Sequence, residues 1–300
     1  MDPLDRLRTS CAAVAERAEH VSVQRDAIPA FAASLEPEAA AAEPDPDAAT
    51  SIEERAAFWL TLDAINFGSG WFPTLRKRPG RSGYLTIAAG VREHGPWSAA
   101  ELESFSAADI ATVLGQEPGH ELMALFSRSL NDLGRHVISG YGGRFAAVVD
   151  AADGSAAALV QALSRWQCFS DVSTYGELEL PFLKRAQIAA ADLNRAGVLR
   201  ANDLAKLTMF ADNLVPHVLR LDGVLGFAPG LVQRIDRGEL IAHGSPEEIE
   251  IRACAVHAVE LIVAERPGSC ASDIDQLLWN RGQDPAYKIR PRHRARCTAY

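Results

Sequence analysis

The sequence predicts a mainly α, multihelical single domain spanning residues 1–300, with few short strands, on three observations. Several serines are followed three residues later by a carboxylate, apolar residues recur at three-and-four spacing, and period-two alternation is scarce. With 300 residues, 48% of them apolar, the chain can bury a substantial core.

Taken in order, Leu4, Leu7, Cys11, Val14 and Ala18 trace one face of an amphipathic helix over 4–19. Residues 36–50, with three prolines, five acids and an Ala run, read as an exposed low-complexity loop. Ser51 with Glu54 opens the next helix as a capping box, and Ser98 with Glu101 and Ser106 with Asp109 open two more. The glycine-rich pieces 68–83 and 140–143 read as loops, and the alternation in 84–91 and in 145–149 reads as two short strands. The DAADGS stretch around Gly154 is an ordinary loop within one domain. Ser245 with Glu248, and Pro246 at the first helical position, open a helix in which Glu248 and Arg252 form a surface i,i+4 ion pair. Its apolar part, 253–264, contains His257 and Glu260 and is shorter than the roughly 18 to 20 residues of a membrane span, so it is a core helix. No period of about 20 to 50 residues recurs, which excludes a solenoid.

Thirty Lys and Arg against thirty-nine Asp and Glu leave a net charge of -9, a field that repels a duplex or a whole tRNA. Five cysteines without a CxxC argue against a disulfide framework and a thiolate zinc cage, and fit a reducing, cytoplasmic setting. Asp2, Asp5, Arg6 and Arg8 leave no apolar signal core at the start of the sequence. HExxH, GxxxxGK[ST] and GxSxG are absent, so no metal site and no cofactor is expected. Gly140-Tyr141-Gly142-Gly143 lacks the leading strand and the third glycine of a dinucleotide loop.

Two constellations carry chemistry. Asp212 and Asn213 stand just before Pro216 and a new apolar stripe, at a helix start, where free backbone N–H groups and the helix dipole favour negative charge. Asp212 is then either a plain cap or an anion facing a cationic transition state. Asp275 and Trp279 are four apart, so one helix face presents a carboxylate beside an indole, which suits a guanine-like base; the alternative is a core Trp279 beside a solvated Asp275. Arg76-Lys77-Arg78, Lys184-Arg185 and the arginines of 290–296 are clusters that can each hold a phosphate or simply be solvated. His217 and His257, on apolar faces without a second ligand nearby, read as packing histidines.

LDAINF (62–67), PFLKRAQIAAADL (181–193), LTMFADNLVPHVL (207–219), the block 238–262, IDQLLWN (274–280) and PRHRARCTAY (291–300) occur in an order that resembles the queuosine salvage protein family, the queuosine 5′-phosphate N-glycosylase/hydrolases. The resemblance implies a fold similar to helix-hairpin-helix DNA glycosylases. It also implies hydrolysis of queuosine 5′-monophosphate to queuine and ribose 5-phosphate, without intact nucleic acid or a membrane as partner. It places the motif aspartate on Asp212 and the base pocket on Phe210, Asp275 and Trp279; Lys184, Arg294 and Asn66 are the expected phosphate and ribose ligands. The chain departs from the family pattern after Phe67, where Gly68-Ser69-Gly70 precedes Trp71. The rival readings are a DNA base-excision glycosylase, which must flip a base from a duplex that this charge repels, and a non-catalytic binder of queuosine nucleotides.

Overall fold

The computed structural model describes residues 2–36 and 50–300, so most of the 36–50 loop lies outside the described residues. Asp2 accepts the Leu4 N–H and Pro3 takes the first position of the Pro3–Ala15 helix, whose Leu4, Leu7, Cys11 and Val14 are buried; the helix stops short of Ala18. Ser51, Ser98 and Ser106 each close a complete capping box, opening the Ile52–Ala64, Ala99–Ser104 and Ala107–Leu114 helices. Ser245 accepts the Glu248 N–H at the start of the Pro246–Ala264 helix, but the box is only half formed. The Glu248 carboxylate turns instead to the Gly244 N–H and to His243.

Both expected strands are helices, Gly83–His94 and Phe145–Asp150. The first is started by Ser82, whose hydroxyl accepts the Leu85 N–H. The second is capped from a distance: Glu53 takes the Phe145 and Ala146 N–H groups at 2.7 and 2.8 Å. A carboxylate there satisfies free N–H groups and the positive helix end, which outweighs a five-residue alternation. The actual strands are three residues each, too short to print a pattern. Val21–Val23 pairs antiparallel with Leu225–Phe227, and Ser173–Tyr175 with Leu178–Leu180.

The Glu121–Tyr141 helix runs through Gly140, and Gly142, at φ 62°, ends it; the glycine pair is a helix terminus and not a phosphate loop. The 253–264 run lies within the Pro246–Ala264 helix, which is buried on nearly all sides and therefore shows no polar stripe. Glu248 and Arg252 do pair, at 3.6 Å, but both are fully buried, so the expected surface pair is an interior one.

The buried side chains form two large apolar clusters. One gathers the Ile52–Ala64, Glu121–Tyr141, Ala156–Leu163 and Lys184–Arg195 helices. The other gathers the Pro3–Ala15, Val215–Leu221, Pro246–Ala264 and Ala271–Arg281 helices. The last residues cross between them in an irregular run that alternates, with His293, Ala295 and Cys297 inward. Ile241 N–H donates to the Arg294 carbonyl and Gly68 N–H to the Tyr300 carbonyl. A Cβ on Gly70 would collide with the Ala295 carbonyl oxygen, so the Gly68-Ser69-Gly70 insert is the seat on which this tail rests. All five cysteines are unpaired. Among the described residues no helix is long and apolar enough to cross a membrane, and no His, Cys, Asp and Glu group could hold a metal ion.

Candidate active site

A cavity of about 680 Å³ opens where the two clusters meet. Its wall includes all seven residues singled out in the sequence: Asn66, Lys184, Phe210, Asp212, Asp275, Trp279 and Arg294. They come from five separate stretches of chain, brought together by the packing of the helices around them.

Asp212 precedes the Val215–Leu221 helix and is half-buried. Its Oδ1 accepts the Leu214 and Val215 N–H groups at 2.8 and 3.0 Å. The cap and the cavity carboxylate are thus the same side chain: one oxygen is held by the helix start, leaving the other for a ligand. Asp275 is buried on the Ala271–Arg281 helix, and its Oδ1 accepts the Phe210 N–H at 2.9 Å. Burial, reinforced by the nearby Asp212 charge, raises the Asp275 pKa well above the carboxylate range and favours its protonated form. One turn on, Trp279 lines the cavity with the edge of Tyr84 against it, ring centroids 6.4 Å apart at 83°.

Lys184 is buried, and its Nζ donates to the Asn66 carbonyl and Oδ1 at 2.8 and 3.1 Å. Burial lowers its pKa to about 8, against the opposing pull of Asp212. Asn66 therefore orients the lysine, and its own amide donates toward Asp63 at 3.4 Å. Arg185, next in sequence, turns away to the Ala64 carbonyl at 2.6 Å and lines no part of the cavity. Arg76 and Arg78 pair with Glu117 and Glu93, leaving Lys77 as the member of that cluster on the cavity wall. In the tail, Arg292 and Arg294 project into the cavity wall opposite to the buried His293, and neither makes a side-chain hydrogen bond or ion pair among the described residues. Lys77, Lys288 and Arg290 are exposed wall residues, so cations gather here on a chain whose net charge is -9.

His217 also lines the cavity. Its Nε2 lies 2.8 Å from the Tyr287 carbonyl and so carries the proton. Burial lowers its pKa to about 4 and keeps the ring neutral. His257 lies outside the cavity, accepting from Arg25 at 3.0 Å. Trp71 is buried beyond the wall, its indole N–H donating to Glu121 at 2.7 Å.

The queuosine salvage protein family matches residues 45–300, most of the chain. The chain belongs to this family. A queuosine 5′-phosphate N-glycosylase/hydrolase of Sphaerobacter thermophilus is 34% identical over 325 aligned positions, covering 100% of this chain and 99% of that one. Proteins of the same name from Bos taurus and Dictyostelium discoideum are 31% and 34% identical, covering 58% and 56% of this chain and 56% and 55% of theirs.

Within this member of the queuosine salvage family, sequence reasoning missed Tyr84, which was placed on a strand, and Arg292, which was not separated from its neighbours. The signal for Arg292 was present. Residues 292–297 alternate Arg, His, Arg, Ala, Arg, Cys, a period of two that sets the arginines on one side of an extended run.

Proposed function

We propose that this chain hydrolyses the N-glycosidic bond of queuosine 5′-monophosphate, releasing queuine and ribose 5-phosphate. The observation that carries the reading is a cavity whose wall holds a helix-capped carboxylate, an aromatic and carboxyl base site, and cations without carboxylate partners. The names of the relatives support the same reading.

Cleaving a ribosyl bond builds positive charge on the anomeric carbon and ring oxygen, so a fixed anion beneath them stabilises the transition state more than the ground state. Asp212 fills that role; its geometry is equally compatible with activating water or attacking the carbon directly. The 7-deazaguanine leaving group lacks the purine nitrogen that usually accepts a proton. Asp275, whose protonated form burial favours, has one oxygen engaged by Phe210 and the other available, and it donates to a polar atom of the departing base. Phe210 and Trp279 flank the ring. Lys184, oriented by Asn66, and the tail arginines Arg294 and Arg292 bind the phosphate and ribose.

A mononucleotide feels the local cations, whereas a polymer feels the whole negative field, which supports a free nucleotide over intact nucleic acid as substrate. Because both apolar clusters are needed to wall the cavity, the chain functions as one domain. Unpaired cysteines fit action in the cytoplasm. Incubating the protein with queuosine 5′-monophosphate and separating the products by chromatography tests the reading. Queuine and ribose 5-phosphate in equal amounts are expected; nucleotide bound but recovered intact would refute it in favour of a binding protein.

A further inference from the structure

Arg252 lies on the Pro246–Ala264 helix, fully buried and outside the cavity wall. Its Nε donates to the carbonyl of Ala211, the residue before Asp212, at 2.9 Å. Its two terminal nitrogens donate to the Asp171 carboxylate at 3.1 and 2.6 Å. Asp171 in turn accepts the backbone N–H of Lys184 on its carboxylate at 3.1 Å and that of Leu183 on its carbonyl at 3.1 Å. Leu183 sits at φ 49°, a left-handed conformation costly for leucine, and these two bonds hold the chain there as it enters the Lys184–Arg195 helix.

The guanidinium is fixed in plane as well. Phe182 packs 3.9 Å and Tyr300 4.8 Å from its carbon, measured to the ring centroids. Charge compensation alone would not require this arrangement, because Glu248 already stands 3.6 Å away. What the fork adds is simultaneous bonding to two chain segments that share no helix and carry the opposite charges of the cavity.

We propose that Arg252 is a positioning residue that, through the Ala211 carbonyl and Asp171, sets Asp212 and Lys184 in register with each other. The proposal rests on the roles given above to those two side chains. Lysine at 252 keeps the charge but cannot bond in one plane to both segments, so Asp212 loses its placement under the reacting carbon. A displacement on the order of 1 Å costs about a hundredfold in rate.

The test compares Arg252→Lys and Asp171→Asn with Glu250→Gln in the full chain, using queuosine 5′-monophosphate as substrate and queuine as binding probe. Glu250 is equally buried on the same helix, but its carboxylate holds His20, Val21 and Tyr175, away from the cavity. All three substitutions are expected to lower the melting temperature. At a temperature where each variant is fully folded, Arg252→Lys and Asp171→Asn are expected to lose about a hundredfold in kcat. Queuine affinity should fall far less than kcat, since Asp275 and Trp279 ride on another helix and Asp275 itself holds the Phe210 N–H, and Glu250→Gln should keep its kcat. If Arg252→Lys does not fold, Asp171→Asn, which preserves volume, carries the comparison. Wild-type kcat in folded Asp171→Asn or Arg252→Lys, or equal losses in all three variants, overturns the positioning role while leaving the glycosidase reading intact. A wild-type protein that releases no queuine defeats that reading first, and the positioning role with it.

Discussion

Replacing Asp212 by Asn isolates charge from shape. Asn retains a carbonyl oxygen for the Leu214 and Val215 N–H groups, so the helix start, and with it the fold, should survive with little loss of stability. What disappears is the negative charge facing the sugar. Two unit charges about 4 Å apart interact by about 4 kcal/mol at an effective dielectric near 20. At about 1.4 kcal/mol per tenfold, that corresponds to roughly a thousandfold in kcat. The substitution has a second signature. The Asp212 charge raises the pKa of both Asp275 and Lys184, so its removal should move the alkaline fall in activity to lower pH. Queuine release followed by chromatography at saturating nucleotide gives kcat, calorimetry with queuine gives base affinity, and thermal unfolding checks the fold. A folded variant with kcat within about tenfold of wild type would refute the electrostatic argument, since the lost term would then be under about 1.4 kcal/mol.

Trp279→Ala should raise the nucleotide Kd by about 5- to 150-fold, the equivalent of one stacked base at about 1–3 kcal/mol; an unchanged Kd with an unchanged melting temperature would exclude stacking there. Lys184 loses its proton as pH rises through about 8, so kcat/KM should decline above that pH, and Lys184→Arg, which stays charged, should move the decline to higher pH; a limb unmoved in the variant would refute the assignment. With Lys77, Lys288, Arg290, Arg292 and Arg294 on the cavity wall, added salt should lower kcat/KM for the nucleotide while leaving kcat nearly constant, and a salt-independent kcat/KM would show that steering is absent. Gly70→Ala drives a methyl group into the Ala295 carbonyl and should cost both thermal stability and nucleotide affinity; a variant with both properties intact would show that the tail gives way there.

What could be read in the sequence is what is written locally. Ser51, Ser98 and Ser106 announce their helices because hydroxyl and carboxylate lie within one turn. Asp275 and Trp279 share a face because four residues is one turn, and Asp212 shows itself as a cap before it is seen to line a cavity. The misreadings are cases in which a distant partner decides. Nothing near 145–149 reveals that Glu53 caps that segment as a helix, and nothing near 248–252 reveals that Asp171 joins the Glu248–Arg252 pair in the interior. The basic clusters failed as units because neighbouring cations face different surroundings. Lys184 points to the cavity while Arg185 turns to the Ala64 carbonyl, and Arg76 and Arg78 find glutamates while Lys77 does not. Charge counting sees the composition of a cluster; it is blind to the direction in which each side chain leaves the backbone.

The eleven residues from Arg290 to Tyr300 contribute Arg290, Pro291, Arg292, Arg294 and Tyr300 to the cavity but no member to either large apolar cluster. A nonsense codon at position 290 would therefore yield a polypeptide with nearly its full complement of interior hydrophobes and a chamber missing one side. Such a product would lose stability as well as activity, because Arg252 loses its Tyr300 cover and the Gly68 and Ile241 N–H groups lose their acceptors, so immunoblot abundance and salvage capacity would fall together in a strain carrying the lesion. For the same reason, a purification handle is better fused at the other extremity.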